Sequence, residues 1–328
     1  MRATLAGMEN LRRRLFERAS IRGLELSQEE CKRVLRDIKR WLPDTPPSDN
    51  EVVVTADGSY TLISSEYGES YHSLTAGALT EAAQKFVKPS GLIESAQFME
   101  RVAILDIGFG LGYNVAVAVH KLRKVNKSIE VEIITLDKAI PENIPALPEP
   151  YRETHKKVLS LLPNGEREGV SLKLYKGDMR KTLKVIKGFR ADAVFYDPFS
   201  PYRNPEAWTL ELLNMVKGLM KDTGVWVSYT SSLPVRRALL DLGFKIGETP
   251  AVGRKKGGTI ASLKKHVGDI RGRDRIKLYS SPYSVPFRDE NLELEPVDIL
   301  IDYRLSVLLR ERAVSSELGR ELQQARPS

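Results

Sequence analysis

The chain has 328 residues, 41% of them hydrophobic and 29% charged, enough to bury one large core with extensions. A single cysteine, Cys31, excludes an internal disulfide, and with only four histidines no metal site is expected. The net charge of +8 and pI near 9.3 point to an anionic partner such as nucleic acid. No apolar run is long enough to span a bilayer and no secretory leader is visible, so no membrane association and a cytoplasmic location are expected.

Residues 1–50 read as an N-terminal helical extension. Leu5, Met8, Leu11 and Leu15, then Cys31, Val34, Leu35, Ile38 and Trp41, recur at helical spacing, and Ser27 followed by Glu29 and Glu30 is a candidate cap. Arg12, Arg13, Arg14, Arg18 and Arg22 crowd the first helix, more simply as a solvated face than as an RNA-contacting arm. Pro43 to Pro47 reads as a linker. Val52 to Thr55 and Tyr60 to Ser64 alternate around the turn Ala56-Asp57-Gly58-Ser59, which predicts a hairpin. The segment Tyr67 to Ser73, containing Glu69, either lies over the ligand-binding edge of a sheet or is an ordinary surface connection. Its His72 reads as a hydrogen-bonding histidine rather than a base. A helix is expected from Thr75 to Phe86.

The apolar strand Val102 to Leu105 ends in Asp106, and Gly108, Gly110 and Gly112 follow at every second position before a helix through Val115 to Leu122. Such a turn lets a ligand approach the main chain. A dinucleotide fingerprint places its third glycine three positions after the second, and here Gly112 comes two after Gly110. The next strand, Ile129 to Asp137, also ends in a carboxylate, placed to accept both hydroxyls of a ribose. Residues 138–170 are proline-rich with a helix at Tyr151 to Leu162, and a short strand from Ser171 to Tyr175 runs into Gly177-Asp178-Met179. There Asp178 suits the amine of an adenine and Met179 its face, or Asp178 caps the next helix, and both roles are compatible.

A fourth strand, Asp192 to Tyr196, leads to Asp197 at its carboxyl end, where ligands of open α/β sheets gather. Pro198 and Pro201 stiffen the turn, and Phe199 and Tyr202 offer flat faces for a base. A helix from Pro205 to Met220, a strand from Val225 to Tyr229, a helix from Val235 to Leu242 and a hairpin returning through Thr259 to Leu263 complete a domain over residues 51–263. This order predicts a mostly parallel seven-stranded α/β sheet with a C-terminal antiparallel hairpin. Residues 264–328 form a basic extension carrying Lys264, Lys265, Arg271, Arg273, Arg275 and Lys277, then an apolar helix from Val297 to Leu309 and a polar end expected to fray.

Asp106 with its Gly-x-Gly-x-Gly turn resembles the first motif of Rossmann-like class I methyltransferases that bind S-adenosylmethionine. The run Asp197-Pro198-Phe199-Ser200-Pro201-Tyr202-Arg203-Asn204-Pro205-Glu206-Ala207-Trp208 resembles the Asp-x-Phe-x-Pro-x-x-Asn-Pro-x-x-Trp signature of the methyltransferase domain of the MnmC family, which modifies the wobble uridine of tRNA. Phe109-Gly110-Leu111-Gly112-Tyr113-Asn114, Leu136-Asp137-Lys138, Gly177-Asp178-Met179, Tyr229 to Ser232, Val235-Arg236-Arg237 and Gly253 to Lys256 follow that family in order, with departures at Leu111, Tyr113 and Asp137.

The resemblance implies S-adenosylmethionine as cofactor, held by Glu69, Asp106, Gly108, Gly110, Gly112, Asn114, Asp137, Lys138, Asp178, Met179 and Asp197. It implies methylation of the amine of 5-aminomethyluridine, or its 2-thio form, in the tRNA anticodon loop. Asp197 would be the catalytic residue, orienting that amine, unless it only holds the turn or the methionyl group. Phe199 and Tyr202 would stack on bases, with Trp208 a core residue, and Arg236, Arg237, Arg254, Lys255 and Lys256 would contact phosphates unless they are solvated surface. Lacking a second glycine fingerprint and the length for the family's FAD-dependent oxidoreductase, the chain reads as a stand-alone methyltransferase, as a monomer in the simplest case. The alternatives are a methyltransferase of a small-molecule or protein amine, and a non-catalytic RNA-binding module.

Overall fold

A computed structural model describes residues 5–42, 51–253 and 256–324. The expected linker at Pro43–Pro47 lies outside the described residues, as do Arg254 and Lys255. The expected hairpin is present as β1 (Val52–Val54) and β2 (Tyr60–Ser64), and a two-residue strand, β3 (Glu69–Ser70), extends it to three antiparallel strands.

The main sheet comprises β4 (Arg101–Ile107), β5 (Glu130–Asp137), β6 (Asn164–Arg167), β7 (Val170–Lys176), β8 (Ala191–Tyr196), β9 (Met220–Ser228), β10 (Lys245–Glu248) and β11 (Thr259–Ser262). Their order is β10-β11-β9-β8-β4-β5-β7-β6. The central five are parallel, and β10, β11 and β6 run against their neighbours. Period-two alternation divides the core: Leu105, Ile107, Val194 and Tyr196 pack on one face, Ile104, Ile133, Ala193 and Phe195 on the other.

The seven expected strands are all there, and β6 adds an eighth. Its signal is a two-residue turn with both φ positive, Glu168 at 52° and Gly169 at 70°, and Glu-Gly is not a typical sequence for such a turn. The helix expected over Pro205 to Met220 is broken. A 3-10 turn, Pro205–Trp208, precedes the helix Leu210–Gly218, because Thr209 is extended and its hydroxyl caps Leu212 N–H at 3.3 Å; Met220 already opens β9.

The terminal extensions join one face of the sheet. Helices Leu5–Ile21 and Gln28–Trp41 bury Leu11, Leu15, Val34 and Ile38 in the same core as Leu300 and Leu305 of the C-terminal helix Pro296–Gln324. That helix continues well past Leu309 instead of fraying there. Arg14 pairs with Asp298 at 2.7 Å, Arg18 with Asp302, and Arg22 donates to the Asp302 carbonyl at 2.7 Å. Three of the five clustered arginines are therefore committed inside the molecule. A further helix, Gly272–Ser280, lies in the segment read only as basic. No helix among the described residues is long and apolar enough to cross a membrane.

Candidate active site

The glycine turn after β4 is held against two neighbouring strand ends. Gly108 N–H donates to Leu136 O at 2.8 Å, and at φ +86° its α-carbon faces the Asp197 carbonyl so closely that a Cβ would sit 2.6 Å from that oxygen. Gly110 N–H donates to Asp137 Oδ2 at 2.7 Å, while Oδ1 accepts from Ala139 N–H at 3.1 Å. Burial pushes Asp137 up to about 6 despite these donors, and lone pairs remain for a ribose. Gly112, in the left-handed region, caps the helix Tyr113–Val125 and packs under the Phe109 ring.

The turn after β8 is fixed from three sides. Trp208 Nε1 donates to Phe199 O at 2.8 Å, Tyr229 Oη to Pro198 O at 2.9 Å, and Ser200 donates through N–H at 2.9 Å and through Oγ at 2.5 Å to the two oxygens of Glu69. Phe199 stacks on Tyr67 with ring centroids 4.3 Å apart, and Tyr71 meets it edge-on at 5.2 Å. Asp197 accepts from Asn114 Nδ2 at 2.8 Å. Burial, then the charge of Glu81, raises Asp197 well above the usual carboxylate range, and the Asn114 donor only partly offsets this.

Glu81 belongs to a buried cluster beside Asp197. It accepts from Ser73 N–H at 2.7 Å, with Lys85 Nζ 3.4 Å and His72 Nδ1 3.8 Å away. Burial alone would raise its pKa; His72 and Lys85 outweigh that and hold it below its ordinary value. Lys85 lies in a π-helical stretch, Ala82–Val87, which follows the short α-helix Ala78–Glu81 where one continuous helix was expected.

These segments enclose a cleft of about 690 Å³ at the carboxyl ends of the strands. It brings together Glu69, Gly108, Gly110, Asp137, Lys138, Asp178, Met179, Asp197 and Phe199 from the sequence-derived set. Asp178 lines the cleft and, as one of its two expected roles, caps Arg180 N–H at 2.9 Å. Burial raises its pKa, but the hydrogen bonds and charge of Arg180 outweigh this and hold it low.

Other expectations need correction. Asp106 is 1% exposed beneath the turn, accepts from Thr135 Oγ1 at 2.7 Å, and is pushed by burial to about 8, so it supports the floor as a largely neutral acid. Gly112 and Asn114 likewise lie below the cleft rather than on its wall. Tyr202 turns away into the terminal helices, stacked on Trp41 at 4.7 Å with its hydroxyl 3.2 Å from Tyr303 Oη, so it is no base platform. Arg236 is fully buried, bonded to Thr259 Oγ1 at 3.0 Å, Gly258 O at 3.2 Å and Glu248 at 3.1 Å; it ties β10 to β11 and cannot meet a phosphate. Arg237 pairs with Asp241 at 2.7 Å and Lys256 with Asp274 at 2.5 Å.

Tyr67 and Tyr71 line the cleft from the segment for which a place over the ligand edge was one of two readings, whereas Glu81, Arg180, Glu206, and Glu295 with Pro296 from the C-terminal extension were not foreseen. The cleft is acidic, with Glu66, Glu69, Glu81, Asp137, Asp178, Asp197, Glu206 and Glu295 against Lys138 and Arg180. Glu206 Oε2 is buried with no hydrogen-bond partner among the described residues. A backbone-lined glycine turn, carboxylates at the ends of several strands and an excess of acidic side chains fit S-adenosylmethionine, whose sulfonium and ammonium are cationic. Among the described residues no group of three His, Cys, Asp or Glu side chains is placed to hold a metal ion.

Comparison with known proteins agrees with this geometry. Residues 139–264 match a family model described as S-adenosyl-L-methionine-dependent methyltransferase. The crystal structure of MNMC2 from Aquifex aeolicus is 48% identical and superposes with a TM-score of 0.87, over 92% of this chain and 99% of that one. An uncharacterized protein of Methanocaldococcus jannaschii, MJ0670, is 34% identical over 81% of this chain and 75% of its own length. The bifunctional tRNA 5-methylaminomethyl-2-thiouridine biosynthesis protein MnmC of Ralstonia nicotianae is 27% identical over 69% of this chain, which spans 36% of that protein's length. The chain belongs to the MnmC-like family of class I, S-adenosylmethionine-dependent methyltransferases.

Proposed function

We propose that the chain methylates the primary amine of 5-aminomethyluridine, or its 2-thio form, at the wobble position of tRNA. The observation that carries this reading is Asp197, a carboxylate whose charge is disfavoured by burial and by Glu81, set beside the stacked Phe199 and Tyr67. A substrate amine resembling lysine, with a pKa of about 10.4, arrives as ammonium and has no lone pair to donate. When bound, S-adenosylmethionine supplies a methyl carbon already activated by its sulfonium. The residues of the chain then have to hold the reactants in line and receive a proton.

Asp137 would hold the ribose, Asp178 and Met179 the adenine, and Gly108, Gly110 and the acidic wall the methionyl end. Asp197 would accept a hydrogen bond from the amine and take its proton at a carboxylate oxygen. Its raised proton affinity makes it a better acceptor than an ordinary aspartate, and a cation brought next to it favours its ionised form before that transfer. Phe199 would offer a face to the splayed base, as single-stranded anticodon loops permit.

The test is nucleoside mass spectrometry on tRNA bearing 5-aminomethyluridine, incubated with purified chain and S-adenosylmethionine. Conversion to 5-methylaminomethyluridine is the expected result. Methyl transfer that survives ribonuclease digestion of the substrate preparation would move the reading to a protein or small-molecule amine. Cofactor binding without any transfer would leave a non-catalytic RNA-binding module.

A further inference from the structure

The acidic cleft repels phosphate, so an RNA whose base enters it must rest its backbone elsewhere. Resting on the function proposed above, we propose that the exposed face of the helix Gly272–Ser280 is the docking surface for the tRNA phosphate backbone. Arg271, Arg273, Arg275 and Lys277 are all exposed, and among the described residues their side chains make no ion pair or hydrogen bond. Ile276 and Tyr279 stand among them 66% and 63% exposed. Arg275 and Tyr279 are one turn apart, as are Arg273 and Lys277, while Leu278 on the opposite side is buried. Cations alternating with an exposed aromatic ring are the pattern with which proteins hold backbone charge and stack bases.

Two further observations favour a polyanion. The arginines crowd the first turn, where the helix dipole is positive, so each is disfavoured until an anion arrives. Asp274, the acid in that turn, is already engaged by Lys256 at 2.5 Å and lies 3.9 Å from Arg236. The helix also stands at the rim that bears the cleft. Arg236 and Lys256 tie it to the connection between β10 and β11, which begins at the carboxyl end of β9. Gly253 in that connection accepts from Thr75 Oγ1 at 2.8 Å, two residues from the cleft-lining Ser73.

The experiment compares tRNA binding and methylation by the full chain, by the fourfold variant Arg271→Ala, Arg273→Ala, Arg275→Ala, Lys277→Ala, and by an equally neutralised control. The control changes Lys124, Lys127, Lys184 and Lys187, exposed near the amino ends of β5 and β8 at the opposite rim. The helix variant should bind tRNA at least tenfold more weakly, with the slope of log affinity against log salt reduced by about three, as expected for four lost phosphate contacts. Its S-adenosylmethionine affinity, measured by calorimetry, should stay within twofold, which also verifies folding. The control should change little. Equal losses in both variants would reduce the effect to net charge and overturn the assignment. Unchanged tRNA binding by the helix variant would also overturn it and leave the face to a protein partner. Failure of the unaltered chain to methylate tRNA while binding it with this salt dependence would count against the proposed reaction and not against the surface.

Discussion

Two carboxylates, at the ends of the strands on either side of β4, carry raised proton affinities, and the chemistry asked of them separates their consequences. Asp137 is pushed up to about 6, so it is ionised above that value and neutral below it. Only the ionised form accepts strongly from both ribose hydroxyls. S-adenosylmethionine should therefore bind about tenfold more weakly at pH 5 than at pH 7.5, and Asp137→Asn should remove this dependence, as calorimetry across that range would show. Asp197→Asn keeps an oxygen to accept the Asn114 amide but loses the proton-accepting charge. Turnover on tRNA should fall about 10²- to 10⁴-fold with cofactor affinity nearly unchanged; a variant with normal turnover would remove Asp197 from the chemistry. The cleft positions of Asp137 and Asp197 were readable because each is an acid immediately after an apolar run, and that of Asp178 because it follows a strand and a glycine. No such local mark accompanies Glu81 or Arg236. Glu81 matters because β2, β3 and the segment after them fold His72 and Ser73 against it, and Arg236 is inaccessible because Glu248, Gly258 and Thr259 close over it. Partners distant in sequence decide both, and a one-dimensional pattern carries no record of them.

The strand–turn–helix unit from β4 into Tyr113–Val125 was legible almost to the residue, since glycines at alternate positions after a buried strand constrain the backbone locally. Less visible was what each glycine avoids. A methyl at Gly108 would stand 2.6 Å from the Asp197 carbonyl, with φ at +86°, whereas at Gly188 (φ +71°) it would meet nothing within 4 Å. Gly188→Ala should show only the cost of the left-handed backbone, about 1–2 kcal/mol. Gly108→Ala should add displacement of the β8 turn, lowering the melting temperature further and abolishing measurable cofactor binding, which Gly188→Ala retains. Equal effects in the two variants would mean that the contact between the β4 and β8 turns does not matter to the site. Element boundaries were missed where a side chain overrules periodicity, as Thr209 does by capping Leu212, and where a strand has no apolar alternation, as in Asn164–Arg167 at the sheet edge.

At the level of the whole molecule, the terminal extensions are part of the machinery that shapes the cleft. The C-terminal helix begins at Pro296, which with Glu295 lines the cleft, and the N-terminal helices close over its outer face. Their link to the β8 turn is aromatic: Trp41 stacks on Tyr202 at 4.7 Å, Tyr303 donates to Tyr283 O at 3.1 Å and lies 3.2 Å from the Tyr202 hydroxyl, and Phe287 packs against Tyr202 and Tyr303. Tyr202 stands three residues after Phe199, so loosening this cluster should blur the position of the base platform while leaving the glycine turn and Asp137 untouched. Trp41→Ala should cost about 2–3 kcal/mol of stability, less than a fully buried tryptophan because the ring is half-buried. With tRNA as substrate its kcat/KM should drop at least tenfold while S-adenosylmethionine affinity stays within twofold, and Trp41→Phe should recover most of the loss by restoring a stacking face. Unaltered kinetics in a destabilised Trp41→Ala protein would reduce the terminal helices to a cover for the apolar face. A parallel loss of cofactor affinity would instead indicate that the whole strand-end rim had shifted, and not the β8 turn alone.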